Sequence, residues 1–215
     1  MHSGPELFAC LALAFLIGAV PFGFLAVKLL LGRDVREVGS GNIGATNASR
    51  CFPGKWRWVA FAGIYALDFL KGYLPVALLM PRVAHTDDVA WAGPAFALAT
   101  VLGHCFTPFL GFKGGKGVAT FGGAFFALEP LAVLVAIGVF FVVAALLRVV
   151  AVASMALGFA LALTVVLREP STAFGARVFT SVLAIVLAFF LVWTHRSNIR
   201  KLLAARRQRQ SEALS

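Results

Sequence analysis

Charged side chains are scarce in this chain. Only 13% of its 215 residues are Asp, Glu, Lys or Arg, whereas 60% are hydrophobic, and the mean hydropathy is +0.91. A soluble domain usually carries about 25% charged residues, so too few polar side chains are present here to cover a surface that faces water. The composition excludes an ordinary soluble domain and predicts that a bilayer surrounds most of the molecule.

Cysteine is scarce as well. The three cysteines are Cys10, Cys51 and Cys105, and no two of them have a CxxC spacing. This pattern argues against a disulfide framework and against a zinc site, and we expect neither a metal nor a cofactor. Residues 1–6 contain no Lys or Arg, so the basic region of a signal peptide is missing. The first apolar run is therefore interpreted as a transmembrane helix.

Long apolar runs are what the sequence has in abundance. A helix needs about 20 residues to cross the hydrocarbon core, and five runs reach or approach that length. The fourth run is short, and Glu129-Pro130 separates it from the fifth, so it is predicted to be a half-helix or part of a kinked pair. We predict an all-α, polytopic transmembrane bundle of about seven helices, with five or six as alternatives. The runs are 7–31, 57–81, 89–111, 118–128, 130–147, 150–167 and 176–194.

The distribution of Lys and Arg predicts the orientation. With the N-terminus outside, 14 of the 19 basic residues fall in inside loops and 3 in outside loops, where the acidic pair Asp87-Asp88 also falls. The positive-inside rule then places the C-terminus in the cytoplasm. This bias accounts for most of the net charge of +10 without a nucleic-acid partner, and no nucleic-acid-binding signature is present in the sequence.

The domain organisation follows from the same pattern. Residues 1–203 are predicted to form one transmembrane domain, and residues 204–215 a basic cytoplasmic tail. The segment from His195 onward is interpreted either as lying on anionic lipid headgroups or as a plain stop-transfer anchor.

Two opposite charges lie within the second apolar run. Asp68 and Lys71 are three residues apart, and each charge near the middle of a bilayer costs about 2.5–3.5 kcal/mol. They are expected to pair and to face the bundle interior. We interpret the pair as structural, with Gly72 allowing close helix packing.

The first of three unusual inside segments runs from Gly39 to Arg50 and is rich in glycine, hydroxyls and amides. Glycine allows positive φ angles and close approach of the backbone to a ligand, and successive N–H groups can form an anion-binding nest. Arg50 adds a planar guanidinium that suits phosphate. We predict an anion site here, with a flexible, capped loop as the alternative. The candidate donors are Ser40, Asn42, Thr46 and Asn47.

The second segment contains Lys113-Gly-Gly-Lys-Gly117 and leads into the short fourth run. A glycine-rich loop that enters a helix N-terminus is a common anion site. It is not a nucleotide-binding Walker A loop, because Gly117 follows Lys116 where Ser or Thr is required. A basic loop that only obeys the positive-inside rule is the alternative.

The third segment, Trp193 to Lys201, lies at the inner end of the last run. His195 and Asn198 are three residues apart, so on a helix they share a face. The alternative is an interfacial histidine that interacts with the helix dipole.

Together these segments resemble the PlsY family, the bacterial acyl-phosphate:glycerol-3-phosphate acyltransferases, from about residue 10 to residue 203. The resemblance implies seven transmembrane helices in the bacterial inner membrane, with the motif loops facing the cytoplasm. It also implies transfer of a fatty acyl group from acyl phosphate to the sn-1 hydroxyl of glycerol-3-phosphate, giving lysophosphatidic acid and phosphate. The residues that carry it are Ser40-Gly-Asn-Ile-Gly-Ala-Thr-Asn47, Asp68-x-x-Lys-Gly72, Gly103-His104, Phe112-Lys-Gly-Gly-Lys-Gly-Val-Ala-Thr120 and His195-Arg-x-Asn-Ile199.

The resemblance also implies roles. The loop 113–120 should hold the phosphate of acyl phosphate, while Ser40, Arg50 and Lys116 should hold the phosphate of glycerol-3-phosphate or neutralise both. His195 and Asn198 should orient the attacking hydroxyl, whose proton goes to His195 or to a substrate phosphate. Membrane lipids and the enzyme that forms acyl phosphate are candidate partners. The expected catalytic residues are Lys116, His195 and Asn198, and the expected substrate contacts are Ser40, Asn42, Thr46, Asn47, Arg50, His104, Lys113, Gly114, Gly115, Gly117, Thr120 and Ser154.

Three departures from the family pattern stand out. The usual Ser-Leu-x-Ser reads Ala151-Val-Ala-Ser154, so a polar contact is either lost or carried by Ser154. Thr194 stands where a basic residue is usual, and the tail reads Ala204-Ala-Arg-Arg207 in place of Gly-Thr-Glu.

The sequence disfavours three rival functions. A transporter of phosphorylated metabolites is disfavoured because all polar motifs face one side and no inverted repeat is evident. A membrane scaffold is disfavoured by the density of donors. An acyl-CoA-dependent acyltransferase usually has an HxxxxD pair, and the fifth residue after His104 is Phe109.

Overall fold

The computed structural model of the chain describes residues 4–83 and 89–212, and within these ranges it contains helices and turns but no strand. The all-α prediction is confirmed. The outside pair Asp87-Asp88 lies outside the described residues. The helices are α1 (Gly4–Ala19), α2 (Phe22–Leu31), α3 (Ala45–Ala48), α4 (Trp56–Leu74), α5 (Met80–Val83), α6 (Val89–Cys105), α7 (Val118–Leu128), α8 (Pro130–Leu147), α9 (Val150–Arg168), α10 (Pro170–Ala173), α11 (Val178–Thr194) and α12 (Arg196–Glu212).

Each of the seven apolar runs contains a helix, but the helices differ in length. Among the described residues, four helical stretches are long and apolar enough to cross a membrane, and up to six if α1 with α2 and α11 with α12 each count as one bent span. Helix α7 has only 11 residues, so the fourth run is a half-helix. The four long stretches are Trp56–Arg82, Ala90–Leu110, Pro130–Leu147 and Val150–Arg168.

Proline ends two of the helices. The predicted run 7–31 is divided at Pro21 into α1 and α2, which meet at 44°. Proline lacks an N–H and disfavours a helical residue before it, so the run does not continue as one straight helix. Pro130 occupies the first position of α8, where its missing N–H has no cost, and Glu129 is left at the break between α7 and α8.

Glycines bring α1 and α6 into close contact. A Cβ on Gly18 would lie 2.2 Å from the carbonyl oxygen of Thr100, and one on Gly103 would lie 2.1 Å from that of Phe15. In lipid, helix association depends on such close packing because the tails are as apolar as the side chains. The two glycines therefore set the distance between α1 and α6.

The same device joins α4 to the half-helix α7. A Cβ on Gly72 would lie 2.1 Å from the carbonyl oxygen of Thr120, and one on Gly123 would lie 1.9 Å from that of Phe69. The predicted role of Gly72 in close packing is confirmed. Because α7 is too short to cross the bilayer, this contact with α4 is a main support for it.

The charges within α4 pair as expected. Asp68 and Lys71 are each about 3% exposed, and the Lys71 Nζ atom lies 2.8 Å from Asp68 Oδ1. Lys71 also donates a 2.7 Å hydrogen bond to the carbonyl oxygen of Val20, at the break between α1 and α2. The ion pair thus faces the bundle interior and contacts a backbone group that the helix break has freed.

A second ionic cluster lies at the other end of the bundle, where α7 and α9 end and α11 begins. The buried carboxylate of Glu129 lies 3.0 Å from Arg168 and also contacts Arg177. Arg177 lies 3.3 Å from Glu169 as well. Arg168 and Arg177 are two of the charges that the sequence assigns to the outside.

Replacing Gly72 tests the contact between α4 and α7. Gly72→Ala would place a methyl group against the backbone of Thr120, which cannot move aside without separating the helices. We expect a loss of about 1–3 kcal/mol in the free energy of unfolding, as in overpacked cores. Thermal unfolding of the purified protein in detergent measures it.

Gly63→Ala is the matched control, because Gly63 lies on the same helix with open space beside its Cα. It should leave stability unchanged or raise it by about 0.5–1 kcal/mol, the helix advantage of Ala. Equal unfolding temperatures for the two variants would show that the close contact does not hold α7 in place.

Candidate active site

The three glycine- and donor-rich segments meet around one open cavity of about 500 Å³. It lies where α6 and α11 end, which is the end of the bundle opposite the Glu129 cluster. Seven of the predicted site residues line it. They are Ser40, Asn42, Lys113, Gly114, Gly115, Lys116 and Asn198.

Asn47 organises the first loop rather than reaching the cavity. Its buried side-chain amide donates to the carbonyl oxygens of Val38 at 2.8 Å and Asn42 at 3.0 Å, and it also lies 3.2 Å from the carbonyl oxygen of Val35. Its Oδ1 atom accepts a 3.0 Å hydrogen bond from the N–H of Ser40. One amide therefore bonds to backbone groups of Val38, Ser40 and Asn42 and holds Ser40 at the cavity wall.

Two arginines flank the first loop. Arg36 lines the cavity and forms a bidentate pair with Asp34, with contacts of 3.0 and 2.6 Å. Hydrogen bonds from Arg36 lower the pKa of the Asp34 carboxyl to about 2, so the pair stays ionised at neutral pH. Arg50 is exposed and does not line the cavity, and its Nη1 atom lies near Gly39.

The second loop is hydrogen-bonded to the end of α6. Gly114 donates to the carbonyl oxygen of Cys105 and Gly115 to that of His104, both at 3.0 Å. A Cβ on Gly114 would lie 2.0 Å from the His104 carbonyl oxygen, and one on Gly115 would lie 2.0 Å from His104 Nε2. Only glycine fits at these positions, and the bonds satisfy carbonyls that a helix end leaves free.

Lys116 connects the second and third segments. Its ammonium group donates a short hydrogen bond to Asn198 Oδ1, and its carbonyl oxygen accepts one of 3.2 Å from the Thr194 hydroxyl. Burial, and then the nearby charge of Lys201, lower the pKa of Lys116 to about 8. Lys116 is thus mainly charged at neutral pH and is fixed between loop and helix.

His195 lies directly after α11, in the turn before α12, and is buried behind the cavity wall. Its Nδ1 atom lies 2.7 Å from the carbonyl oxygen of Leu191, so Nδ1 carries the proton and Nε2 is an acceptor. Burial, and to a lesser extent the Lys116 charge, lower the pKa of His195 to about 4, although the hydrogen bond to Leu191 acts in the opposite direction. At neutral pH the imidazole is neutral.

The remaining predicted contacts do not line the cavity, each for a visible reason. Ser154 donates to the carbonyl oxygen of Val150 within α9 at 2.9 Å, a bond that occupies its hydroxyl. Thr120 is buried against Gly72, His104 lies beneath the second loop, and Gly117 is buried at the start of α7. Thr46 is exposed outside the cavity.

Several polar side chains at the cavity were not assigned from the sequence. Arg36 precedes the first motif and counts in the sequence only as an inside charge, while Thr194 is a departure from the family pattern. Arg196 and Arg200 share a face of α12 at i and i+4, which is the signal that could have identified them. The unassigned residues are Arg36, Thr194, Arg196, Ser197 and Arg200.

The arrangement suits the binding of anions more than covalent or metal chemistry. Within residues 4–83 and 89–212, no group of three or more His, Cys, Asp or Glu side chains could hold a metal ion. In the same part of the chain, no serine or cysteine at the cavity forms a hydrogen bond with a histidine. The Thr194 hydroxyl lies 3.4 Å from His195 Nδ1, but that nitrogen bonds to the Leu191 carbonyl oxygen and cannot act as a base, so these contacts form no nucleophile–base pair. The functional groups of the site are therefore basic side chains and glycine-rich backbone.

Comparisons with known proteins agree on one family. The family described as glycerol-3-phosphate acyltransferase matches residues 8–205. A glycerol-3-phosphate acyltransferase of Trichlorobacter lovleyi is 41% identical, with 89% of this chain and 91% of that protein covered. One of Bacillus subtilis is 38% identical, with the same two shares covered.

Solved structures agree as well. The crystal structure of PlsY, an integral membrane glycerol 3-phosphate acyltransferase, in its glycerol 3-phosphate form, has a TM-score of 0.79 and 35% identity. Its lysophosphatidic acid form has a TM-score of 0.78 and 33% identity. Each match covers 94% of both chains.

The pKa of Lys116 is a direct test of the site's electrostatics. Its charge, and with it the attraction for anions, is present below pH 8 and is lost as the pH rises through that value. Lys201→Met removes a charge that lowers this pKa, so the titration midpoint should move to higher pH. Modification of Lys116 by an amine reagent across pH, quantified by mass spectrometry, gives the midpoint.

Arg207→Met is the control, because it removes the same charge from α12 at a residue that is not among those lowering the pKa of Lys116. It should leave the midpoint in place. A midpoint that Lys201→Met does not move would show that Lys201 does not act on Lys116.

Proposed function

Because the chain belongs to the glycerol-3-phosphate acyltransferase family, we propose that it takes its acyl group from acyl phosphate and transfers it to the sn-1 hydroxyl of glycerol-3-phosphate. The products are lysophosphatidic acid and inorganic phosphate. Family membership shows that the chain is a membrane acyltransferase. The acyl donor and the hydroxyl that is acylated are what we propose here.

The convergence of three anion-binding segments on one cavity is the observation that carries the proposal. The cavity combines glycine-rich loops with the basic side chains of Lys113, Lys116 and Arg36. Both substrates of the proposed reaction bear a phosphate, and two phosphates brought together repel each other. A site with several fixed positive groups offsets that repulsion and holds the reacting atoms close.

The reaction requires little else from the protein. The sn-1 oxygen attacks the acyl carbonyl carbon, the bond between that carbon and the phosphate oxygen breaks, and phosphate leaves with the electron pair. A mixed anhydride has a good leaving group, so a covalent enzyme intermediate is unnecessary, which agrees with a cavity built without a nucleophile–base pair among the described residues. The hydroxyl proton goes to Nε2 of the neutral His195 or to a substrate phosphate.

The residues divide the work as follows. The second loop holds the donor phosphate, and Lys116 neutralises the charge that develops on it. Ser40 and Arg50 attract the acceptor phosphate, and Asn198 fixes the Lys116 ammonium through its hydrogen bond. Thr194 supports the same lysine from the backbone side, so a residue that departs from the family pattern still belongs to the site.

The acyl chain has a path along the seam between α6 and α11. Phe106 and Trp193 line the inner cavity, and Phe190 stacks on Trp193 at 5.4 Å between ring centres. Further along the same two helices is a second, apolar cavity of about 500 Å³, lined by residues such as Trp91 and Leu183. We assign this seam to the chain of the donor.

The cavity is proposed to face the cytoplasm of the bacterial inner membrane. The excess of Lys and Arg on this side supports the assignment, because cytoplasmic loops of membrane proteins carry the excess of basic residues. The cavity and the motifs lie at one end of the bundle. This also argues against a transporter, whose site must be accessible from both sides of the membrane.

The donor is tested by supplying two acyl compounds to the purified protein. With labelled glycerol-3-phosphate, palmitoyl phosphate should support turnover and palmitoyl-CoA little or none, because the second loop is compact and suits one phosphate. Labelled lysophosphatidic acid is the product to measure. Equal rates with the two donors would contradict the proposal.

Lys116→Ala tests the charge at the loop. Losing one preorganised charged contact in such a site typically costs about 10²–10³ in rate, so we expect turnover to fall by that factor while the protein still inserts and purifies. Lys116→Arg should not fully restore it, because a planar guanidinium cannot replace a compact ammonium among close N–H groups.

Lys55→Ala is the control, since Lys55 is an inside, exposed lysine away from the cavity. It should stay near the wild-type rate. If Lys116→Ala keeps more than about a third of wild-type kcat/KM, a loss below about 1 kcal/mol, the loop serves only topology.

A further inference from the structure

Three ionisable side chains lie buried behind the second loop, and the proposed chemistry uses none of them. Asp68 and Lys71 come from α4 and His104 from α6, and each is at most 5% exposed. They form a chain of contacts: Lys71 Nζ to Asp68 Oδ1 at 2.8 Å, and Asp68 Oδ1 to His104 Nδ1 at 3.7 Å. Burying charged side chains inside a membrane protein costs free energy, so we expect the cluster to have a role.

His104 contacts the second loop through two of its groups. Its carbonyl oxygen accepts the hydrogen bond from Gly115, and its imidazole Nε2 lies where a Cβ on Gly115 would be. The loop therefore rests on the imidazole ring immediately before Lys116. Any movement of the ring would be transmitted to the backbone that positions that lysine.

Lys71 carries the contact chain to the other loop. It donates to the carbonyl oxygen of Val20, at the break from which α2 leads towards the first loop. The neighbouring Gly72 packs against Thr120, at the start of α7 and just beyond the second loop. Thus α4 contacts the segments before the first loop and after the second.

We propose that Asp68, Lys71 and His104 are positioning residues that keep the first and second loops at one fixed spacing, so that the two bound phosphates meet in reacting geometry. They do not touch substrate. His104 was expected from the family resemblance to contact substrate; its action is instead through Gly115. The inference rests on the proposed function, because it assumes that the second loop holds a substrate phosphate.

A double-mutant cycle on His104 and Gly115 tests the contact directly. His104→Ala removes the support, and Gly115→Ala pushes a methyl group into the ring, so each should lower kcat/KM about 10²-fold, the cost of a displacement near 1 Å at a reacting centre. In the double variant the methyl group occupies the vacated space. If the two effects were independent, the two losses in kcat/KM would multiply. We expect the kcat/KM of the double variant to be at least tenfold higher than that product predicts.

The kinetic pattern separates positioning from mere stability. Lys113→Ala should raise the KM of the substrate that the second loop binds, and each single variant should raise the KM of that same substrate. The unfolding temperature of each variant must be high enough for folded protein to be assayed. Thr100→Ala is the matched control, since Thr100 is also buried on α6 but bonds only within its helix, to Ala97. It should keep wild-type kinetics.

The charged pair is tested by removing both members together, because removing one would leave an unpaired buried charge. Asp68→Leu with Lys71→Met should fold yet show the same rise in KM. Folded variants with unchanged KM, or losses for His104 and Gly115 that simply multiply, would overturn the inference. Lys116→Ala, assayed in parallel, distinguishes the failures: if it alone loses activity, the proposed function stands and the positioning role falls.

Discussion

Two backbone hydrogen bonds, from Gly114 and Gly115 to the last carbonyl groups of α6, hold the site together. They place a loop without regular structure against a helix end, in a region where unsatisfied backbone groups are costly. Lys116 can meet Asn198 because the loop is held there, and Thr194 and His195 pack around that junction. Glycine is required at both positions, because a side chain would meet the backbone of α6 at Gly114 and the imidazole ring of His104 at Gly115.

Much of the fold could be read from hydrophobic runs and prolines. Helices α7 and α8 occupy the predicted ranges 118–128 and 130–147 exactly as the Glu129-Pro130 break divides them. The run 7–31 was predicted as one element, whereas Pro21 divides it. A long apolar run hides such a break, because each half alone is as apolar as the whole. The glycine contacts between helices could be suspected from Gly72 but not paired with Thr120 without coordinates.

The side chains that line the site were harder to predict than the segments that form it. Glycines and donors in three segments led to the prediction of an anion site, and the structure gathers those segments around one cavity. Which side chains face it depends on long-range contacts that no local pattern encodes. Asn47 has the same chemistry as Asn42, yet its amide is consumed by the loop backbone. Arg36, by contrast, reaches the cavity because Asp34 fixes its guanidinium.

The shortness of α7 has a consequence for where the reaction takes place. A straight helix of 11 residues rises about 16 Å, roughly half of the hydrocarbon thickness, and its far end is fixed by the ionic cluster at Glu129. The loop that precedes α7 therefore lies only about 16 Å from the Glu129 end of the bundle, which is less than the thickness of the hydrocarbon core. Under the proposed function, a donor whose acyl chain lies in the bilayer can reach this loop from within the membrane, and glycerol-3-phosphate approaches it from water.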